Sequence, residues 1–221
     1  LAACVRRGID ALELREGDGH GIAPGDLMEA GSRILEPATA AGVDVVAYRI
    51  LSPSGTLPRA RQGAAVRLLV DGTSPLAHRL EQAAELEFAG AAVAVVVRDE
   101  LEAGVVSDSS FDIAWDVAPG TRPAGETAQM MLQRFGPWLR HVHISGGGPE
   151  SAMQEGRGIG ELMGRLALHR YSAAVALAPS SPHFRVAWDN WLGRRGGWGC
   201  GSKTAEPSLV ALHGAGMGGA A

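Results

Sequence analysis

The sequence has little lysine and little cysteine, and each shortage excludes a class of chemistry. Of its 20 basic residues, 19 are arginine, and the single lysine, Lys203, lies near the C-terminal end. Schiff-base chemistry needs a lysine in the active site, and we do not expect one so close to the end of the chain to lie there. This chemistry is therefore excluded. The two cysteines, Cys4 and Cys200, lie at opposite ends of the chain without the spacing of a disulfide framework or a zinc site. We therefore predict a protein of a reducing compartment, the cytoplasm.

Long apolar runs and an excess of one charge are also missing. No run approaches the roughly 20 apolar residues that span a bilayer, and the first residues lack the order of a signal peptide. The net charge is −4, with acidic and basic residues interspersed, so nothing resembles an electrostatic footprint for nucleic acid. The sequence also has no G-x-S-x-G motif. We predict neither a membrane nor a nucleic-acid partner, and no acyl-transfer chemistry.

A regular alternation of strand and helix patterns is present instead. Short runs rich in Val, Ile, Leu and Ala alternate with longer helical patterns, which is typical of βα units and a parallel sheet. The predicted strands cover residues 9–15, 43–51, 64–71, 91–98, 111–117, 139–145 and 173–178. The predicted helices between them include residues 25–42, 75–90, 124–136 and 159–170.

Seven predicted strands are one short of a closed eight-stranded barrel. We predict an α/β fold, a (βα)-barrel of TIM type that lacks its first strand; the alternative is a truly seven-stranded or open sheet. Residues 1–185 form the predicted barrel domain. Residues 186–221 are Gly-rich and lack a helical period, so we expect a tail with no place in the barrel core. The alternative for this tail is that residues 208–214 supply the missing strand.

Polar side chains alternate with apolar ones on two of the predicted strands. His141 and His143 are two residues apart, so both point to one side of the sheet, which we predict to be the barrel interior. Glu13 and Arg15 share one face for the same reason. A metal ion needs further ligands, of which Asp116 on the neighbouring strand is one; otherwise the two histidines only form hydrogen bonds. We predict His143 as the metal ligand and His141 as a residue that contacts substrate. Glu13 and Arg15 either orient a substrate hydroxyl or phosphate, or form a buried ion pair.

Three more polar residues are predicted at the C-terminal mouth of the barrel. Arg49 and Arg98 end their strands, and two guanidinium groups there can grip a phosphate or carboxylate. The alternative is an ion pair between Arg98 and Asp116 that occupies the place of a cation. His20, in the Gly-rich loop after the first predicted strand, either contacts substrate or is solvated.

Four stretches of the sequence resemble the sugar phosphate isomerase/epimerase family, the xylose-isomerase-like TIM barrels. The segment HVHIS at 141–145, which a G-x-G-I turn follows further on, is the most specific part. The resemblance covers about residues 1–182, and the stretches that carry it are 4–15, 40–55, 114–145 and 156–182.

This resemblance implies a divalent cation (Mn, Mg or Zn) at the C-terminal mouth of the barrel. In the family, a Glu, an Asp, a His and a Glu after the fifth to eighth strands hold that cation. Asp116 and His143 match the Asp and the His, whereas Arg98 and Ala178 stand where the two glutamates are expected. The ligand set that the resemblance implies is therefore incomplete.

Two functions remain open from the sequence. The resemblance implies metal-assisted isomerisation or epimerisation of a small sugar or sugar-like substrate, with Glu13 or Glu100 as the base. The incomplete ligand set favours instead a degenerate barrel that binds a sugar-like or anionic metabolite without turnover. A missing first strand would expose apolar edge near Leu12 and Val46, which predicts homo-oligomers.

Overall fold

The computed structural model describes residues 11–16, 40–51, 66–71, 74–117, 124–145, 161–178 and 209–212. Its strands are β1 (Ala11–Arg15), β2 (Asp44–Ile50), β3 (Arg67–Val70), β4 (Val93–Val97), β5 (Asp112–Val117), β6 (Leu139–Ser145), β7 (Ala174–Ala178) and β8 (Leu209–Leu212). Its helices are α1 (Leu76–Phe88), α2 (Glu100–Asp108), α3 (Ala124–Phe135) and α4 (161–168). The strands form a closed barrel in chain order, and every neighbouring pair is parallel. The predicted (βα)-barrel of TIM type is confirmed.

All seven predicted strands are present, in the predicted order and within the predicted ranges. The strand Val93–Val97 shows why the pattern was readable, since all five of its residues are buried, as a parallel strand covered on both faces requires. The predicted helices over 75–90, 124–136 and 159–170 correspond to α1, α3 and α4. The predicted helix over 25–42 lies almost entirely outside the described residues.

The eighth strand corrects two expectations. β8 pairs with β1 through Val210 opposite Ala11, and with β7 through Leu209 opposite Val175. The expectation that no residue after about 186 enters the barrel is therefore wrong for 209–212, and so is the expectation of an open edge beside β1. Closure is favourable because it gives partners to backbone groups of β1 and β7 that an open edge leaves unpaired. Homo-oligomers remain a prediction, now without the open edge that suggested them.

The buried side chains form two layers. Large apolar side chains fill the space between the sheet and the helices, among them Tyr48, Ile50, Trp115, Met131 and Leu166. The lumen is lined by small side chains, Ala47, Ala94 and Ala114, together with Leu69 and Val96. Alanine on the inner face leaves space in the lumen, and polar side chains of β1 and β6 use that space.

Helices α1 and α2 are tied to the barrel by one buried cation. Arg79 of α1 donates to the carbonyl oxygen of Val96 and pairs with the carboxylate of Glu102 on α2. Asp99 caps α2 by accepting a hydrogen bond of 2.9 Å from the backbone N–H of Glu102. Helix α1 ends before Gly90, which adopts φ +91°, a conformation that favours glycine. In the described part of the chain, no helix has the length and apolar character needed to cross a bilayer.

Candidate active site in the barrel lumen

A carboxylate and two imidazoles meet inside the barrel. Glu13 lies in the middle of β1, and His141 and His143 lie on β6, which is not a neighbour of β1 in the sheet. His141 Nε2 is 2.6 Å from Glu13 Oε2, and His143 Nδ1 is 3.4 Å from Glu13 Oε1. All three side chains are buried. The contact therefore spans the lumen. The alternation of residues along both strands had predicted that these side chains point there.

The electrostatics of this cluster keep Glu13 ionised. Burial alone would raise the pKa of Glu13, but His141 and then His143 lower it more, so the pKa lies well below its usual range. Glu13 is 0% exposed, and among the described residues its Oε1 has no hydrogen-bond partner. A buried, charged oxygen with an unused acceptor position is costly. The arrangement therefore favours a cation or a hydrogen-bond donor beside Oε1.

A second network lies at the C-terminal ends of the strands. Arg49, on β2, donates from Nε to Asp71 Oδ2 at 2.8 Å and from Nη2 to Asp116 Oδ2 at 2.6 Å. Arg98 donates from Nη2 to Asp71 Oδ1 at 2.7 Å. Burial lowers the pKa of Arg49, but Asp116 and Asp71 outweigh that effect and raise it. Asp71 thus joins the two arginines that were predicted at the mouth.

This network differs from the predicted ion pair of Arg98 with Asp116. Arg49 holds Asp116 instead, across the lumen from β2 to β5, while Arg98 pairs with Asp71. The side chain of Arg49 is 5% exposed and that of Arg98 is 47% exposed. The buried guanidinium therefore binds both aspartates, whereas the more exposed one is seen to bind Asp71. Asp71 was missed by sequence reasoning, although its place at the C-terminal end of a predicted strand is where barrel active sites lie.

Asp116 shares one property with Glu13. Its Oδ2 is held by Arg49, whereas its Oδ1 is buried and has no hydrogen-bond partner among the described residues. Asp116 also lies opposite His143 in the register of β5 and β6. Within the described part of the chain, the lumen therefore contains two carboxylates that each have one hydrogen-bonded oxygen and one oxygen without a hydrogen-bond partner.

The remaining predicted site residues are not in this cluster. Arg15 lies two residues after Glu13 on β1 and is partly exposed. Glu100 begins α2, and its carboxylate pairs with Arg134 of α3, so it is bound within the helical layer. Ala178 ends β7 and supplies no metal ligand. His20 lies outside the described residues.

The donor set can hold a metal ion. In the described part of the chain, one group of potential ligand atoms lies within 4.8 Å of one another, and it consists of Glu13, His141 and His143. His143 was predicted as a ligand together with Asp116, whose Oδ2 binds Arg49 instead. The grouping therefore joins β6 to β1 across the lumen, rather than β6 to the neighbouring β5.

Comparisons with known proteins show the fold. No family model and no curated protein matches the chain. The xylose isomerase domain protein from Planctomyces limnophilus superposes with a TM-score of 0.53 at 12% identity, covering 88% of this chain and 90% of that chain. Phosphoribosyl anthranilate isomerase from Thermococcus kodakaraensis gives a TM-score of 0.47 at 11% identity, covering 92% and 88%. The chain is thus similar in fold to a xylose isomerase-like TIM barrel.

Proposed function

We propose that this barrel catalyses the divalent-metal-assisted isomerisation or epimerisation of a small sugar or sugar-like molecule. The observation that carries the proposal is the cluster of an ionised, buried Glu13 with His141 and His143 in the lumen. Glu13 Oε1 has no hydrogen-bond partner among the described residues, and together with the neighbouring imidazole nitrogens it suits a divalent cation. The fold similarity to an isomerase-like barrel is compatible with this reaction class.

The three residues of the cluster would hold the cation. When bound, a divalent cation stabilises negative charge on a carbonyl and an adjacent hydroxyl oxygen, which eases removal of a proton from the neighbouring carbon. The protein must then supply a base. Glu13 and Glu100 were the predicted candidates, but Glu13 belongs to the cation site and Glu100 pairs with Arg134.

Asp116 fits the role of base better than either glutamate. Its Oδ1 is buried and has no hydrogen-bond partner in the described ranges, which suits an oxygen that accepts a proton from substrate. Arg49 holds the other oxygen, Oδ2, at 2.6 Å, which fixes the carboxylate in one orientation. We assign Asp116 as the general base and Arg49 as the positioning residue that acts through it.

The mouth of the barrel supplies groups for the polar parts of a substrate. The side chain of Arg98 is 47% exposed and is anchored by Asp71, and Arg15 is partly exposed on the same strand as Glu13. Guanidinium groups bind hydroxyl and phosphate oxygens well. We assign Arg98 and Arg15 to substrate contacts at the mouth, with a sugar-like molecule as the partner.

A second candidate function is binding without turnover. The observation that favours it is the charge balance at the mouth, where Arg49 and Arg98 are matched by Asp71 and Asp116. In this alternative the ion pairs replace the family's cation site, and the barrel binds a sugar-like or anionic metabolite. The two functions make opposite predictions for proton exchange.

Exchange of substrate hydrogen with solvent deuterium tests the catalytic proposal. The protein is incubated in deuterated buffer with aldoses, ketoses and their phosphates, together with Mg²⁺, Mn²⁺ or Zn²⁺, and deuterium next to the carbonyl carbon is followed by NMR. We expect exchange with at least one substrate, and a loss of roughly 100-fold or more in Asp116→Asn, because a general base contributes at least this much. Asp108→Asn, an exposed residue at the end of α2, is the matched control and should exchange like the parent.

Two outcomes would count against the catalytic proposal. Substrate-dependent shifts in the protein spectrum without any deuterium incorporation would favour binding without turnover. Equal exchange in Asp116→Asn and the parent would remove Asp116 from the role of base.

A further inference from the structure

The donor atoms in the lumen define the class of metal ion more narrowly than the proposed function does. We propose that Glu13, His141 and His143 form a site that selects Zn²⁺ and similar borderline transition metals over Mg²⁺ and Mn²⁺. This inference rests on the proposed function for its role, but metal selectivity is measurable without any substrate. Two of the three donors are imidazole nitrogens, which suit zinc, whereas Mg²⁺ and Mn²⁺ prefer oxygen ligands.

The spacing of the donors agrees with a tetrahedral ion. Ligands about 2.0–2.1 Å from a tetrahedral zinc ion lie about 3.3 Å from one another. His143 Nδ1 lies 3.4 Å from Glu13 Oε1 and 3.5 Å from Glu13 Oε2. His141 Nε2 lies 2.6 Å from Glu13 Oε2, the distance of a short hydrogen bond. A cation that replaces the shared proton needs that distance to lengthen by only about 0.7 Å.

The strands hold the two histidines in place before any ion binds. β6 lies between β5 and β7, and His143 is in register with Asp116 on one side and Ala176 on the other. Both imidazoles project from the same face of β6, which is hydrogen-bonded to a neighbouring strand on each side. A site on rigid strands keeps its donors near the binding geometry, which favours an ion with strict demands on its ligands.

Burial and charge point in the same direction. Glu13 is 0% exposed, and its Oε1 has no hydrogen-bond partner among the described residues. A buried carboxylate oxygen without a hydrogen-bond partner is costly, and a cation beside it offsets that cost directly. Mg²⁺ loses its water shell reluctantly and usually keeps several waters, so a buried donor set with two nitrogens binds it poorly.

The three donors found among the described residues match an open site. Three protein ligands with a fourth position for a small molecule are typical of catalytic zinc, whereas structural zinc has four protein ligands. Oδ1 of Asp116, on the strand beside His143, is buried and has no hydrogen-bond partner among the described residues. The arrangement therefore joins a metal site to the proposed base.

Spectroscopic metal titration tests the selectivity. The purified full chain is stripped of metal with a chelator and titrated with Co²⁺, and its visible absorption reports coordination. We expect an intense visible band at one equivalent, its loss when Zn²⁺ is added, and no loss with millimolar Mg²⁺ or Mn²⁺. Zn²⁺ should also raise the melting temperature, because it binds the folded state.

Matched variants locate the site. Glu13→Gln, His141→Ala and His143→Ala should each weaken Co²⁺ and Zn²⁺ binding by roughly 100-fold or more, since each removes one of three ligands. Glu81→Gln and His78→Ala carry the same substitutions at exposed positions of α1 and should bind like the parent. Circular dichroism shows whether each variant is folded.

A measurement on the parent keeps the test decisive if a variant does not fold. The chain has seven histidines, and nitrogen NMR of their side chains should show two imidazoles shifted by one equivalent of Zn²⁺. No shifted imidazoles, no cobalt band, or displacement of Co²⁺ by Mg²⁺ as readily as by Zn²⁺ would each overturn the inference. Zinc binding without deuterium exchange would refute only the proposed reaction, whereas exchange with Mg²⁺ in a protein that ignores Zn²⁺ would refute only the zinc site.

Discussion

The two ends of the barrel carry polar clusters that differ in burial and in completeness. At the N-terminal ends of the strands, Asp112 pairs with Arg67 and lies 3.4 Å from Arg140. These side chains are 28% exposed for Asp112 and Arg67 and 44% exposed for Arg140. In the C-terminal half, the side chains of Glu13 and Arg49 are 0% and 5% exposed.

The difference in completeness follows the difference in burial. Within the described ranges, Glu13 and Asp116 each leave a buried oxygen without a hydrogen-bond partner, whereas Arg67 and Asp112 leave none. Water can complete exposed ion pairs, whereas a buried oxygen without a hydrogen-bond partner among the described residues is costly and favours a ligand beside it. Asp116, whose Oδ1 has no hydrogen-bond partner among the described residues, lies near the C-terminal end of its strand, and the active sites of TIM barrels lie at that face.

The largest expected effect comes from removing the strand that closes the barrel, because both ends depend on closure. Deleting residues 205–221 removes β8 and leaves β1 and β7 with unpaired backbone groups. We expect the free energy of unfolding to fall by much of a typical domain's total, about 5–15 kcal/mol. Near-UV circular dichroism and denaturant unfolding measure this. Deleting only residues 214–221 is the matched control, and equal stability of the two deletions would show that β8 is dispensable.

The next effect tests whether burial sets the strength of the ion pairs within the C-terminal network. Arg49→Met removes the buried guanidinium that pairs with both Asp71 and Asp116. We expect this loss to lower the free energy of unfolding by about 3–5 kcal/mol. Urea unfolding measures the change. Arg98→Met, at a half-exposed position on the same Asp71, is the comparison and should lose no more than about 1 kcal/mol. Equal losses would mean that burial does not set the strength of this network.

The corresponding substitution at the N-terminal end should have little effect. Arg67→Met removes an ion pair with Asp112 whose side chains are both 28% exposed, so water can take over the lost contact. We expect urea unfolding to show a loss of at most about 1 kcal/mol. A loss as large as that of Arg49→Met would break the comparison between the two ends.

An effect of similar size concerns Tyr171 near the N-terminal cluster and depends on pH. Burial raises the pKa of Tyr171, and Arg140 and Arg67 lower it by less, so it lies above its usual range. At neutral pH, Tyr171→Phe loses the 3.2 Å hydrogen bond to the carbonyl oxygen of Ala174, about 0.5–1.5 kcal/mol.

Above pH 10 the order of the two proteins should change. The unfolded tyrosine ionises near pH 10, whereas the folded one stays neutral, so the parent loses stability as the pH rises, by about 1.4 kcal/mol per unit. Phenylalanine has no such loss, and we expect the variant to match the parent near pH 11. Unfolding curves between pH 8 and 11.5 measure this, and a stability difference that does not change with pH would contradict the raised pKa.

The sequence by itself determined the seven strands from 9–15 to 173–178 and the direction of their side chains. Both depend on local rules: buried strands are runs of apolar residues, and successive side chains alternate between the two faces of a strand. For this reason Glu13, His141 and His143 could be placed in the lumen before any distance was known. The predicted ligand His143 is in the observed cluster because the alternation of side chains along β6 points its imidazole into the lumen.

Only the tertiary structure decided which of these side chains meet. The grouping of Glu13 with the histidines, the bond from Arg49 to Asp116 and the bridging role of Asp71 all join strands far apart in the sequence. These distances depend on barrel closure and strand register, which no local pattern encodes. The strand Leu209–Leu212 was likewise decided by the tertiary structure. Four residues in a Gly-rich segment become a strand only where β1 and β7 offer unpaired backbone groups.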